Sequence, residues 1–304
     1  MLEYLAELFK LAPRQLWAVE QQIEIFKDML SSFSFKGFFA SLLAIFELAG
    51  LAVFDLPVTP RGEEANLDGY TLVFEDNFDG TELNTDIWEY RASGARRGGF
   101  NAPGQVEVRD GNLVITAEYL KDGAYGEGWY AGMIRLKEQY EKGYFEMRCI
   151  ANKGQYFWSA FWLQAPNSYD PILSKGGIGG AEIDIFESAN NVSPLLRGAV
   201  THAIHCGGVD GATEGFQSLA LGSFYGNNIF EEYNTYALEW NEDEYIFYIN
   251  GVETRRSSFG NGVSEVPEEV IVSLEIPTTE ELNKLDKDTY HSEFIVDYVR
   301  IYQK

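Results

Sequence analysis

The sequence predicts an all-β protein, an antiparallel sandwich of two sheets of the jelly-roll kind. Its 304 residues include 30 glycines and 18 tyrosines set among short β-branched runs, which is typical of strands joined by many turns. From Tyr70 onward the apolar residues recur with a period close to two, as in strands that bury one face. No helical segments of 10–15 residues alternate with these runs, which disfavours a parallel α/β sheet.

Four segments illustrate the strand pattern. Residues 111–117 (GNLVITA) begin with a turn and continue as a strand, and residues 144–150 (YFEMRCI) alternate cleanly between apolar and polar side chains. Residues 244–251 (EYIFYING) end in Asn-Gly, a strong hairpin signal. Residues 294–302 (FIVDYVRIY) close the chain as a further strand.

The first 60 residues have a different character. Apolar residues recur there every three or four positions with a break at Pro13, which predicts two short amphipathic helices. An apolar stretch follows at residues 38–54, at the lower limit for spanning a bilayer and interrupted by Glu47. Three interpretations stay open: a helical pad packed on the main domain, membrane association through residues 1–55, and an unusual export segment.

The predicted organisation is therefore a helical appendage at residues 1–60, a polar linker at 61–69 and the main domain at 70–304. A standard signal peptide is not recognisable, because the N-terminal residues are not basic and the apolar stretch begins far from Met1.

Charge and cysteine content exclude several function classes. The formal net charge is −24, which repels phosphate backbones and disfavours nucleic acid and highly acidic polymers as partners. A neutral substrate fits best. The two cysteines, Cys149 and Cys206, form no CxxC motif, so a zinc or redox site has no support. One disulfide and two free thiols are both compatible with the sequence.

One predicted strand carries three acidic residues. Glu182 and Asp184 share one face of it, whereas Ile183 and Ile185 point into the core. Strict alternation would turn Glu187 inward, and burying an unpaired carboxylate is costly. We therefore expect a β-bulge near Ile185-Phe186, which brings all three acids to the same face.

Three crowded carboxyl groups suit the hydrolysis of a glycosidic bond. Retaining glycosidases use two carboxyl groups about 5–5.5 Å apart, one as nucleophile and one as acid/base. Because crowded acids cannot all ionise freely, at least one pKa should be raised, as a general acid near neutral pH requires. Taken alone, the pattern E-x-D-x-x-E is a weak signal, because acidic residues alternating on a strand usually mark a solvated face or a metal site.

An aromatic-rich segment precedes this strand. Residues 155–163 (QYFWSAFWL) place Trp158 and Trp162 four positions apart, so both can share one face of a strand. Flat aromatic faces in a cleft pack against the apolar faces of sugar rings. Either tryptophan has an alternative place in the core.

Five segments, in this order, resemble glycoside hydrolase family 16, the laminarinase- and lichenase-like enzymes. They are residues 74–80 (FEDNFDG), 142–148 (KGYFEMR), 157–163 (FWSAFWL), 182–187 (EIDIFE) and 296–302 (VDYVRIY). The resemblance covers about residues 70–304 and implies a concanavalin-like β-jelly-roll with an open cleft on its concave face. With one extra residue in the acidic strand, the sequence resembles the bulged, laminarinase-like branch of this family.

The resemblance implies a role for each acid. Glu182 would be the nucleophile, Asp184 its hydrogen-bonded helper and Glu187 the general acid/base. His205 follows on the next strand and is a candidate for contact with Asp184 or a sugar hydroxyl, with a structural role as the alternative. No organic cofactor is implied, but many family members hold a structural calcium ion, and the matching ligands here are Glu75, the carbonyl of Gly111, and Asp297.

Departures from the family pattern bear on the substrate. Residues 96–101 (RRGGFN) replace an asparagine-rich stretch that lines the cleft, which makes Arg97 and Asn101 substrate-binding candidates together with Glu275. The expected function is endo-acting, retaining hydrolysis of a β-1,3- or mixed β-1,3/1,4-glucan. An endo-β-galactanase or agarase-like hydrolase and a non-catalytic carbohydrate-binding protein are the alternatives. We expect a monomer that acts on a neutral β-linked polysaccharide, outside the cell or at its envelope.

Overall fold

A computed structural model describes residues 57–189, 191, 197–209 and 216–304. Within it, Thr59–Lys304 forms one compact unit. The predicted helical appendage at residues 1–60, with its possible membrane role, lies outside the described residues apart from its last four positions. None of the helices in the described part of the chain has the length and apolar character needed to cross a membrane.

The described residues form eighteen strands and two short α-helices, besides two single-turn 3-10 helices. In chain order the strands are β1 (Thr71–Asp76), β2 (Trp88–Tyr90), β3 (Gly94–Arg96), β4 (Gly99–Asn101), β5 (Val106–Arg109), β6 (Asn112–Gly123), β7 (Gly126–Ala131), β8 (Met133–Leu136), β9 (Gly143–Ile150), β10 (Trp158–Gln164), β11 (Glu182–Glu187), β12 (Ala199–Gly207), β13 (Phe216–Tyr225), β14 (Asn234–Trp240), β15 (Tyr245–Ile249), β16 (Val252–Ser257), β17 (Glu269–Glu275) and β18 (His291–Gln303). The α-helices are α1 (Pro171–Ser174) and α2 (Thr279–Leu282).

Two sheets make up the fold. The smaller has the spatial order β13-β12-β11-β10-β17-β8-β2 and carries the acidic strand. The larger runs β16-β15-β14-β9-β18-β6-β7-β4-β3, with β1 beside β18 and β5 beside β6. Pairing is antiparallel except between β4 and β7. The predicted all-β jelly-roll sandwich is confirmed, including strands at all four segments chosen above.

The core lies between the two sheets. Phe186 of β11 stacks on Tyr236 of β14 with 4.1 Å between ring centroids, and it also contacts Phe294 of β18. Ile183, Ile185 and Phe186 are fully buried, so β11 is anchored through its apolar side chains. Burial of such side chains contributes roughly 1.5–3 kcal/mol each, which holds the acidic strand rigidly in place.

The predicted β-bulge is confirmed. Opposite β10, Phe161 pairs with Phe186 while the next residue, Trp162, pairs with Asp184, so Ile185 is the extra residue. The same shift appears against β12 between Asp184 and Glu187. Because the bulge restores the phase of the alternation, Glu187 turns away from the core, as the cost of burying an unpaired carboxylate requires.

Two further expectations are resolved. Asn250 and Gly251 both adopt positive φ (51° and 75°), as the type I′ turn of an Asn-Gly hairpin demands. Cys149 and Cys206 are buried free thiols, so of the two alternatives left open, a disulfide or two free thiols, the structure has the free thiols.

Part of the segment predicted as a linker is paired with β16, since Glu64 forms a β-bridge with Val252.

Candidate active site

The first acid, Glu182, is held by two hydrogen-bond donors. It lies directly opposite Gln164 in the β10–β11 pair. Gln164 Nε2 and the hydroxyl of Tyr169 both donate to Glu182 Oε2, and Gln164 Nε2 lies 2.9 Å from the Tyr169 oxygen. Sequence reasoning missed both partners. The cross-strand position of Gln164 follows only from the register, and Tyr169 lies between β10 and α1, where no periodicity points to it.

The second acid, Asp184, is almost fully buried beside His205. Asp184 is 6% exposed, and its Oδ2 lies 2.9 Å from His205 Nε2. His205 Nδ1 lies 2.6 Å from Ser218 Oγ on β13, which orients the ring. Burial first, and then the neighbouring charges of Glu182 and Glu275, hold the pKa of Asp184 well above its usual value. Asp184 therefore binds a proton readily and can share it with its neighbours.

The third acid, Glu187, has the properties of a general acid. Burial and the charge of Asp184 raise its pKa to about 8, against the hydrogen bond that Trp158 Nε1 donates to its Oε1 at 2.9 Å. Glu275 contributes a further small increase. The carboxyl group is therefore protonated at neutral pH, as a proton donor to a leaving oxygen must be.

The two tryptophans of β10 differ in their surroundings. Trp158 is partly exposed beside Glu187, and the guanidinium of Arg97 lies 4.8 Å from its ring centroid. Trp162 is only 6% exposed and packs with Met133 and other buried residues. Its indole nitrogen donates to Ser273 Oγ at 3.1 Å, and the guanidinium of Arg91 covers its ring at 4.9 Å. Trp162 lies opposite Asp184 in the β10–β11 pair and so shares the face of the acids, and its role as a substrate contact stays a prediction.

Glu275, a predicted substrate contact, is the partner of two arginines. It lies opposite Trp158 in the β10–β17 pair and is 4% exposed. Arg96 Nη2 is 2.6 Å and Arg97 Nε is 3.6 Å from its Oε2. Its other oxygen, Oε1, has no hydrogen-bond partner among the residues that the structure describes. The predicted contacts Arg97 and Glu275 therefore act as one unit beside Trp158.

Asn101 is on a different sheet from the three acids. It belongs to β4 of the larger sheet, opposite Gly94, whereas the acids lie on the smaller sheet. It is 1% exposed, and within the described ranges neither of its side-chain amide atoms has a hydrogen-bond partner. Its role as a substrate contact stays a prediction.

The predicted calcium ligands are engaged with arginines. Glu75 accepts a hydrogen bond from Arg300 Nε at 2.7 Å, and Asp297 forms an ion pair with Arg148. Gly111 lies at the turn between β5 and β6. Since each carboxylate is already neutralised, a calcium ion would have to displace two arginines, and this arrangement does not fit the ion. Calcium binding stays a prediction without support from this geometry.

A closer set of potential metal ligands lies in the site itself. Glu182, Asp184 and His205 each offer a ligand atom, and these atoms lie within 4.8 Å of one another. Their hydrogen bonds to one another and to Gln164 and Tyr169 account for the same proximity without an ion.

Comparison with known proteins gives consistent results at the level of family and fold. A family model described as the GH16 domain of β-porphyranases A–D matches residues 72–304. Glucan endo-1,3-β-glucosidase A1 of Niallia circulans is 27% identical over 207 residues, which are 60% of this chain and 29% of that protein. The clotting factor G alpha subunit of Tachypleus tridentatus is 27% identical over 249 residues, 77% of this chain and 34% of the relative. The chain thus spans about a third of the length of these relatives.

Solved structures share the fold. A non-specific endo-β-1,3(4)-glucanase of family GH16 superposes with a TM-score of 0.63 at 23% identity, covering 82% of this chain and 97% of that one. Porphyranase B from Zobellia galactanivorans superposes with a TM-score of 0.61 at 19% identity, covering 82% and 98%.

Proposed function

The chain belongs to glycoside hydrolase family 16, in the group described by β-porphyranases A–D, and from this membership we propose that it is a retaining endo-β-glycoside hydrolase. One observation carries the proposal: a single bulged strand presents two glutamates in opposite electrostatic conditions. The pKa of Glu187 is raised to about 8, so this carboxyl group keeps its proton at neutral pH. Glu182 instead receives two hydrogen bonds of the kind that stabilise a carboxylate. A sugar-binding protein has no use for such a pair.

The reaction proceeds by two displacements. In the first, Glu182 attacks the anomeric carbon while the glycosidic C–O bond breaks and Glu187 gives its proton to the leaving oxygen. In the second, Glu187, now a carboxylate, takes a proton from water, and the resulting hydroxide attacks the same carbon. The bond to Glu182 breaks, its electron pair returns to the carboxylate, and the product keeps the β configuration.

A β-1,3- or mixed β-1,3/1,4-glucan is the substrate that we propose. A relative bears the name glucan endo-1,3-β-glucosidase, and the same fold is seen in a non-specific endo-β-1,3(4)-glucanase. The formal net charge of −24 also favours a neutral polymer. Since such polymers do not cross membranes, we place the reaction outside the cytoplasm. A monomer and membrane association through residues 1–55 stay predictions.

A β-galactan is a second candidate, favoured by two observations. The matching family model is that of porphyranases. Arg91 and Arg97 each place a guanidinium over the ring of a tryptophan on β10, so cationic groups line this side of the sheet in an otherwise acidic protein. Guanidinium groups recognise anionic substituents such as sulfate by paired hydrogen bonds.

A panel of polysaccharides separates the two candidates. Laminarin, barley mixed-linkage glucan, agarose and porphyran would each be incubated with the wild-type protein and with Glu182→Gln, and the oligosaccharides separated by size. Glucan oligosaccharides that are absent with the variant would support the β-glucanase. Products from agarose or porphyran alone would keep the mechanism and replace the substrate. If the variant matched the wild type on every substrate that is cut, Glu182 would not be the nucleophile.

Two substitutions are expected to shift the pH profile of the enzyme in opposite directions. The alkaline limb of kcat/KM should follow the deprotonation of Glu187, whose pKa is about 8. Trp158→Phe removes the hydrogen bond that lowers this pKa, so the limb should move to higher pH. Glu275→Gln removes a negative charge that raises it, so the limb should move to lower pH. Shifts in the same direction for both variants would contradict the assignment of this limb to Glu187.

A further inference from the structure

We propose that Gln164 and Tyr169 are positioning residues that hold Oε2 of Glu182, which leaves Oε1 as the attacking atom and makes Oε2 the carbonyl oxygen of the glycosyl-enzyme. We further propose that these two donors accelerate the breakdown of that intermediate. The inference rests on the proposed two-step hydrolysis, since it concerns the nucleophile of that reaction.

The orientation of the Gln164 amide follows from its other neighbour. Arg91 Nη2 donates to Gln164 Oε1, and an arginine side chain offers donors only. The amide oxygen must therefore face Arg91, which turns the NH₂ group towards Glu182. Arg91 is itself fixed by Glu269, whose Oε2 lies 3.1 Å from Arg91 Nε.

Glu269 in turn binds Arg135 of β8 as well as Arg91. The chain of contacts from β8 through β17 and β10 to β11 thus determines that the NH₂ group of Gln164, and not its oxygen, points towards Glu182.

Tyr169 supplies the second donor. Tyr169 is 52% exposed as a residue, yet its hydroxyl reaches Glu182 Oε2 and also lies 2.9 Å from Gln164 Nε2. Burial of the hydroxyl and the charge of Glu182 raise the pKa of Tyr169 above its usual value. The phenol therefore keeps its proton throughout the working pH range and can only donate to the carboxylate.

Two donors on one carboxylate oxygen have unequal effects on the two steps. In the first step negative charge leaves Glu182 as the ester forms, so donors to Oε2 assist little beyond orienting Oε1. In the second step the bond between Oε1 and the anomeric carbon breaks and the electron pair returns to the carboxylate. Donors already placed at Oε2 stabilise that developing charge, which is where preorganised hydrogen bonds lower a barrier most.

The test uses an aryl β-glycoside of the sugar that the enzyme cuts, with a leaving group so good that the first step is fast. Tyr169→Phe removes one oxygen from an exposed side chain, and Tyr225→Phe, at a tyrosine that is 39% exposed on β13, is the matched control. Loss of a hydrogen bond to a charged group predicts a fall in kcat of roughly tenfold to a hundredfold. KM should fall with it because the glycosyl-enzyme accumulates, and mass spectrometry should detect that adduct in Tyr169→Phe but not in the wild type or in Tyr225→Phe.

Gln164→Leu should show the same pattern and guards against an effect peculiar to Tyr169. An unchanged kcat, or a fall in kcat/KM through a higher KM with no adduct, would overturn the inference. Failure of the proposed function looks different, because the wild-type protein itself would then cleave no glycoside and form no adduct.

Discussion

Glu182→Gly is expected to lower hydrolysis of the polysaccharide by at least about 10⁴-fold, because no side chain remains to attack the anomeric carbon. The fold should tolerate the change. Glu182 lies at the first position of β11, which is anchored by the buried side chains of Ile183, Ile185 and Phe186. Thermal unfolding followed by circular dichroism would check that the variant remains folded.

A small anion should restore chemistry to this variant in a way that identifies the missing group. With an activated aryl β-glycoside, azide can enter the space vacated by the carboxylate and attack from the face opposite the leaving group. The product should be the α-glycosyl azide, with inverted configuration, detected by NMR. A β-azide from Glu182→Gly would assign the lost carboxylate to the acid/base role instead.

Glu187→Ala is expected to give the second-largest effect, with a loss of roughly 10²–10⁴-fold on the polysaccharide. The leaving group of the polysaccharide is alkoxide-like and needs a proton. Glu187 supplies this proton because burial and Asp184 raise the pKa of Glu187 to about 8. An aryl glycoside with a good leaving group needs no proton, so formation of the glycosyl-enzyme should proceed and its hydrolysis should then stall. A burst of the aryl alcohol measured by stopped-flow absorbance would report this difference.

Azide should rescue Glu187→Ala with the opposite stereochemistry. Here it replaces water in the second displacement, on the face where the carboxylate has been removed, and the product should be the β-glycosyl azide. The two variants thus control for each other. Equal slowing of glycosyl-enzyme formation on activated and natural substrates in Glu187→Ala would exclude its role as the general acid.

The acidic strand was predictable from sequence because its constraints are local. Alternation places Glu182 and Asp184 on one face, and the cost of burying Glu187 among apolar residues demands one extra residue. The structure has that bulge at Ile185. The Asn-Gly hairpin was equally predictable, since Asn250 and Gly251 are suited to positive φ.

The environment of the acids required the tertiary structure. Gln164 meets Glu182 only through the register of β10 against β11, and Tyr169 approaches from a segment that has no periodic pattern. Arg97 and Glu275 are 178 positions apart, and their pairing beside Trp158 depends on how the turn between β3 and β4 of the larger sheet meets β17 of the smaller sheet. The pKa of Glu187 likewise depends on burial, which cannot be read from the spacing of residues along the sequence.

By itself, then, the sequence determined the all-β class, the bulged strand and the identity of its three acids, because strand periodicity and turn chemistry act over a few neighbouring residues. Tertiary structure alone decided which donors hold Glu182 Oε2, which arginines neutralise Glu275, and that Trp162 lies buried under Arg91. Those contacts join residues that are distant along the chain. Their physical origin is the order and register of the strands together with the path of the connecting segments, which bring such residues to within hydrogen-bonding distance.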